Sequence, residues 1–204
     1  MPYDVSTITV HPAAHPKQVP ALGEWLKANP RKGTFLACLV AEIGELNKML
    51  LLHRYDSAAD LAADRAAVAE STNPYGIGDM IDGMSSDTFV QFPFLPAIKP
   101  GAYGPIFEIR TYLLRTAGLQ PTIAAWEKAL PARQKLTPLL TAMYSTTGAT
   151  VRFMHIWPYP SLEVRAHTRK TAIETGVWPP PGGPGQLITM ANAIFLPAPF
   201  SPIR

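Results

Sequence analysis

Ile106-Phe107-Glu108-Ile109-Arg110-Thr111-Tyr112-Leu113-Leu114 is the stretch on which the reading turns. Successive side chains of a strand point to opposite faces, so Glu108, Arg110 and Tyr112 share one face and Phe107, Ile109 and Thr111 the other. A surface strand would scatter its polar residues toward water. Here an acid, a base and a phenol stand in one row inside apolar sequence, the pattern expected of a pocket wall.

Working outward, prolines delimit the remaining segments. After Leu114 the spacing predicts a helix over Leu119–Gln134, carrying Ile123, Trp126 and Leu130 on one face. A strand Leu139–Thr147, a turn at Gly148 and a strand Val151–Trp157 follow, then a helix capped by Ser161 and running to Glu174, then a strand Leu187–Leu196. The first half reads the same way: strand Val5–Val10, helix Pro16–Ala28, strand Thr34–Ile43, a turn over Gly44–Asn47, strand Lys48–His53, a helix capped by Asp56 or Ser57 to about Ala69, and strand Thr88–Leu95. Each half has the order βαββαβ. Trp25-Leu26-Lys27-Ala28 matches Trp126-Glu127-Lys128-Ala129, and Gly44 and Tyr55-Asp56-Ser57 match Gly148 and Tyr159-Pro160-Ser161, in the same order. That agreement reads as an internal duplication.

Right-handed crossovers put both helices of such a unit on one face of its sheet, and the bare face needs a cover. Two units can cover each other sheet to sheet and close a barrel-like interior. Glu108, Arg110 and Tyr112 are then expected to point into that interior. First and third strands read as parallel neighbours bring Tyr112 beside Trp157 and Tyr159, with His155 one step deeper, and place His11 near His53 in the first half.

Composition bounds the partners. Hydrophobic residues form 47% of the chain and charged residues 16%, which suits a packed core rather than a disordered chain. The net charge of +3 comes without a Lys/Arg run, so neither nucleic acid nor a membrane surface is an expected partner. No apolar stretch reaches the length of a membrane span, and Met1–Val10 lacks a basic segment followed by an apolar one. The lone Cys38 cannot form an internal disulfide, so a cytoplasmic location is expected. The sequence carries no Gly-rich phosphate loop ending in Lys-Ser/Thr, no His-Glu-x-x-His, no Cys-x-x-Cys and no Gly-x-Ser-x-Gly, which argues against nucleotide, zinc-protease and serine-hydrolase chemistry.

The second half carries Glu108-x-Arg110-x-Tyr112, Trp126-Glu127-Lys128-Ala129-Leu130, His155-Ile156-Trp157-x-Tyr159-x-Ser161-Leu162-Glu163 and Pro199-Phe200-Ser201-Pro202. The first keeps Glu42-Ile43-Gly44-Glu45-Leu46-Asn47 and Tyr55-Asp56-Ser57. At these residues the chain resembles the NIPSNAP family, within the dimeric α+β barrel (ferredoxin-like) superfamily. The resemblance implies an α+β fold of two tandem ferredoxin-like βαββαβ modules, residues 1–98 and 106–204 joined by a linker over 99–105, packed as an intramolecular pseudo-dimeric barrel. The superfamily includes cofactor-free monooxygenases, haem enzymes and small isomerases or lyases, and fold analogy does not choose among them.

Candidate catalytic residues are His155, Arg110, Tyr112 and Glu108. A His beside a Tyr can transfer protons near neutrality, and an Arg can hold a carboxylate or enolate oxygen. Trp157, Tyr159, Trp178, Thr9, His11 and His53 are candidate substrate contacts, and Trp178–Gly185 reads either as a lid or as a stiff connector whose Trp plugs the core. The leading expectation is a small-molecule enzyme without a cofactor, working by proton transfer or oxygenation. The alternative is a non-catalytic binding or interaction module in which Glu108 and Arg110 are a structural ion pair and His155 a core residue. A metal on His11 and His53, or haem on His155, His53 or His11, is a lesser alternative. The second half, which keeps acid, base, phenol and imidazole together, is expected to carry any activity, and whole chains can still associate through edges or helices left over.

Overall fold

The computed structural model describes residues 1–14, 16–148 and 151–204. Their strands are β1 (Pro2–Val10), β2 (Thr34–Ile43), β3 (Lys48–Arg54), β4 (Ile81–Gln91), β5 (Ile106–Leu114), β6 (Thr141–Ser145), β7 (Arg152–Tyr159) and β8 (Leu187–Pro197). Helices α1 (Gln18–Ala28), α2 (Ala58–Glu70), α3 (Leu119–Arg133) and α4 (Leu162–Glu174) interleave with them. Local chemistry sets the helix starts. Ser57 Oγ accepts from the Asp60 N–H at 3.0 Å and Ser161 Oγ from the Val164 N–H at 3.2 Å, each satisfying a donor that the helix leaves open. The strand expected at Thr88–Leu95 runs instead from Ile81 to Gln91. Gly83 and Ser85-Ser86-Asp87 suggest a loop, but they pair with β1 residue for residue and keep their side chains toward solvent or polar partners.

The sheet closes on itself in the order β1-β3-β2-β8-β5-β7-β6-β4. The first four strands therefore lie as β4-β1-β3-β2 and the last four as β8-β5-β7-β6. Two short antiparallel seams join the sets, Leu39–Ile43 against Ile194–Pro197 and Phe89–Gln91 against Met143–Ser145. First and third strands of each set are antiparallel, not parallel as expected. A helical crossover carries the chain one strand position beyond its neighbour, and the hairpin that follows folds back into the gap running the other way. Glu108 thus faces Trp157, Arg110 faces His155 and Tyr112 faces Phe153.

Apolar side chains of both sets fill the barrel, among them Tyr3, Val5, Leu39, Leu52, Phe107, Ile109, Met154 and Ile156. Two further apolar layers lie outside it. One packs Ile8, Val10, Leu51 and Leu22 in the first half, and the other packs Tyr112, Phe153, Trp157, Ile123 and Trp126 in the second. The row Glu108, Arg110 and Tyr112 consequently faces helices α3 and α4, and Phe107 and Ile109 face the barrel, the reverse of the expected orientation. Alternation separates two faces of a strand but does not say what covers each. Ile98 and Ile203 pack into one end of the barrel. There Gly101 of the expected linker bridges Ile203, and Ser201 Oγ accepts from the Cys38 N–H at 3.1 Å. Cys38 is free and buried, and burial pushes its thiol up to about 12. Among the described residues no helix is long and apolar enough to cross a membrane.

Along the barrel-facing row of β5, truncation should therefore cost most at the packed core and least toward the mouth. Phe107 is fully buried in the barrel, so Phe107→Ala should cost about 3–5 kcal/mol and lower the thermal midpoint by roughly 6–20 °C. Thr111→Ala, at the half-buried mouth, should stay within about 1 kcal/mol. Thermal denaturation of the two variants checks this, and equal losses would count against the packing of Phe107 described.

Candidate functional site

Between the β5/β7 surface and helices α3 and α4 lies a cavity of ≈ 210 Å³. Its apolar walls come from Trp126, Phe153, Trp157 and Trp178, and its polar ones from Glu108, Arg110, Tyr112, Arg133, His155, Tyr159 and Arg169. Trp178, carried on the loop after α4, meets Trp126 edge to face at 4.6 Å between ring centres and Trp157 at 5.9 Å. It is thus both a wall of the cavity and part of the aromatic cluster.

Glu108 is fully buried and holds the polar groups in register. Its Oε1 accepts from Arg110 Nη1 at 2.8 Å and from Arg165 Nη2 at 2.6 Å, with Arg169 Nη1 at 3.8 Å, while its Oε2 has no partner. Arg110 Nε donates to the Tyr112 hydroxyl oxygen. That leaves the phenolic proton available to another acceptor. Burial pushes the Tyr112 pKa up, against the opposing pull of Arg110.

His155 is not the proton acceptor that its residue type suggests. The Trp157 indole Nε1–H, a donor only, bonds His155 Nδ1 at 2.7 Å, so in the neutral ring the proton sits on Nε2. Nε2 is buried without a partner. Burial, with Arg110, Arg169 and Arg133 nearby, drives the His155 pKa well below its ordinary value. The imidazole is a neutral hydrogen-bond donor. Rings of Tyr112, Trp126 and Phe153 lie 4.8–4.9 Å from it, which leaves no face for a macrocycle, so this histidine does not fit haem.

The first half shows the matching positions in other surroundings. β1 and β5 repeat the same alternation of burial at an offset of 104, which sets Asp4, Ser6 and Ile8 against Glu108, Arg110 and Tyr112. Thr7, Thr9 and His11 are not the counterparts that the Trp25/Trp126 offset suggests. The β1–α1 connection, residues 11–17, is longer than the β5–α3 connection, residues 115–118, and absorbs the difference. Thr9 stands on the barrel-facing row of β1 and lines neither layer of helices. The antiparallel register puts His53 opposite Asp4, seven residues from His11 along β1, or roughly 23 Å at ~3.3 Å per residue. Those histidines cannot share a metal, and among the described residues no three or more His, Cys, Asp or Glu side chains gather as a metal site. His53 packs against Phe35 and Tyr55, and burial with Arg31 nearby lowers its pKa to about 4. Thr9, His11 and His53 thus lie outside the second-half cavity.

In the first half Asp4 bonds Arg65 at 2.6 Å, as Glu108 meets Arg169 one offset later. Tyr75 then fills the space: it is buried, with its hydroxyl 3.2 Å from Arg31 Nη1 and 3.4 Å from Ser6 Oγ, and Trp25 packs on its ring. Arg133 and Arg169, which line the cavity, and Arg165, which bonds Glu108, were missed by reading along strands. A signal was present, since Arg65 and Arg169 are related by the same offset as Tyr55 and Tyr159. A second cavity, ≈ 470 Å³, opens at the barrel mouth over Val5, Leu50, Ile109 and Met154, rimmed by Lys48, Asp87 and Arg152.

The NIPSNAP family model matches residues 107–202, the part that carries the first cavity. A NipSnap homolog of Dictyostelium discoideum is 24% identical over 164 residues, covering 78% of this chain and 72% of that protein. Two solved structures are similar in fold. An anthrone oxidase-like protein has a TM-score of 0.67 at 11% identity, covering 96% of this chain and 90% of its own. A candidate monooxygenase from Lactobacillus acidophilus has a TM-score of 0.66 at 9% identity, covering 97% and 94%.

Two buried neutral histidines give a pH dependence of fixed sign. Both folded-state values lie below the ordinary 6.5, so the unfolded chain binds the extra protons and stability falls as pH drops below about 6.5. Each contributes up to about 1.4 kcal/mol per pH unit, down to about pH 4 for His53. Denaturant titrations from pH 7 to 5 should show this loss, reduced in His155→Leu, which copies Leu51 at the matching first-half position. A slope identical in wild type and variant would remove His155 from the account.

Proposed function

We propose that the half matched by the NIPSNAP family model, residues 107–202, is a small-molecule enzyme that needs no cofactor and stabilises the anion of a flat organic substrate. With it we propose that the chain is two tandem ferredoxin-like modules, residues 1–98 and 106–204, of which the second kept its cavity. One observation carries the reading. Apart from the Glu108 carboxylate, already engaged by arginines, the charged and imidazole groups of the cavity are donors: Arg110, Arg133, His155 through Nε2, and Arg169. Tyr112, its oxygen occupied by Arg110, adds an O–H.

Donors fixed in place before reaction favour charge that develops on a substrate oxygen, and a dry aromatic box strengthens them. An enol, phenol or α-carbonyl compound placed against Tyr112 and Arg110 would have its acidity raised, and transfer of its proton to a hydroxide or buffer base from solvent, the cavity's own groups being donors, leaves an enolate or phenolate held by these groups. Return of a proton to a different carbon is isomerisation. Handing the electron pair of the carbanion to dioxygen is oxygenation, a second reading suggested by the fold shared with the anthrone oxidase-like protein. Glu108 is assigned a positioning role, holding Arg110 and Arg165, rather than that of a base. A binding module without turnover remains the competing reading.

Two probes test the proposal. 4-Nitrophenol bound in the cavity should show an apparent pKa lowered by about one unit or more, read from phenolate absorbance. The protein should also accelerate hydrogen–deuterium exchange at the α-carbon of 2-tetralone, followed by NMR. Tyr112→Phe and His155→Leu should each reduce the rate by about tenfold or more, while His11→Ala leaves it unaltered. Binding of the phenol without a pKa change, and no exchange above background, would assign the cavity to the non-catalytic reading.

A further inference from the structure

Arg133 is an arginine without a counter-ion. It is 3% exposed, its Nη2 donates to the Tyr159 hydroxyl at 3.2 Å, and its guanidinium lies 4.4 Å from the Trp157 ring centre. Its Nε and Nη1 are buried with no partner. Among the described residues no carboxylate pairs with it, and Glu108 is engaged by Arg110 and Arg165. Burying a guanidinium in this way is costly unless a negative charge accompanies it.

The first half shows which charge is missing. Arg31 occupies the corresponding place, beside Tyr55, which stands against Tyr159 at the offset of 104. There Asp64 on α2 supplies the carboxylate. Its Oδ2 accepts from Tyr55 Oη at 3.0 Å and from Arg31 Nε at 3.4 Å. The same offset carries Asp64 to Thr168 on α4, a buried residue that cannot bear the charge. One half therefore holds a complete Tyr–carboxylate–Arg set, and the other holds the tyrosine and the arginine around a cavity.

We infer that the molecule taken up by the second-half cavity carries a carboxylate, which pairs with Arg133 and Tyr159 in the role that Asp64 plays toward Arg31 and Tyr55. This deepens the proposed function and rests on its premise that the cavity is a ligand site. The substrate class is then a flat, apolar organic acid whose ring lies among Trp126, Trp157 and Trp178. A bidentate guanidinium suits a carboxylate, and the indole beneath Arg133 fixes the plane of the fork.

The test uses the full chain and two probes of equal shape, 2-naphthoate and 2-naphthamide, measured by isothermal titration calorimetry. Wild type is expected to bind the acid at least tenfold more tightly than the amide. Arg133→Met keeps an apolar stem over Trp157 and should erase that preference. Thr168→Asp restores the first-half arrangement. It should raise the thermal midpoint of the ligand-free protein and abolish acid binding while sparing the amide. Equal affinity for acid and amide in wild type would overturn the inference and leave the cavity as a ligand site. A Thr168→Asp protein with a lower midpoint and unchanged naphthoate affinity would overturn it too. If neither naphthalene probe nor 4-nitrophenol binds, the inference falls together with the proposed function, whereas binding of the phenol alone rejects the carboxylate only.

Discussion

A buried carboxylate on the first strand of each half, gripped by an arginine from that half's second helix, is the interaction that the rest of the molecule is arranged around. Asp4 takes Arg65 and Glu108 takes Arg165, both at 2.6 Å. Each pair pins a helix to the outer surface of the barrel and thereby fixes the depth of the space between them. Removing one member of such a pair strands the other in low dielectric, at a cost of about 3–5 kcal/mol. The pair thus constrains where the helices may lie more than it adds to net stability. What differs between the halves is how the space under the helix is used. Tyr75 and Asp64 fill it in the first. Arginines, tyrosines and tryptophans surround it in the second.

That difference separates scaffold from site. The first half pairs two of its arginines internally: Arg31 with Asp64, Arg65 with Asp4 and Ser86. The second leaves Arg133 and His155 with unused buried donors, and Glu108 with an unused oxygen. Orphaned buried polar groups are uncommon in folded proteins; the first half has them at Gln18, His53 and Arg54, and in the second those of Glu108, Arg133 and His155 belong to residues that line the cavity. The barrel between the halves is apolar and closed by hydrogen bonds at two seams, so it holds the second-half wall steady without contributing polar groups to that cavity.

Much of this was legible along the chain. The period of two in Ile106–Leu114 and the helical spacing around Trp126 placed a strand and a helix within a residue of their ends. The serine caps at Ser57 and Ser161 marked the next helices. Gathering Glu108, Arg110 and Tyr112 on one face followed from alternation alone. Which face they took did not, because the residues that decide it, Arg165 and Arg169 on α4 and the apolar lining of the barrel, lie far away in sequence. Strand direction was missed for a similar reason, since pairing of β5 with β7 depends on how the intervening hairpin returns. The start of β4 was hidden by glycine and serines whose strand geometry comes from pairing with β1 rather than from their own propensity.

The two seams also govern the order in which the chain can complete itself. β2 and β4 are edge strands of the first half, and their partners across the seams, β8 and β6, lie far downstream. As the chain emerges from the ribosome, the first half can pair its own four strands, yet it must wait with two bare edges and an apolar sheet face exposed until Leu187–Pro197 arrives. Contacts of such sequence separation are slow to form. For this molecule the hazardous interval is therefore synthesis itself: an unfinished chain displays adhesive edges that the finished barrel does not.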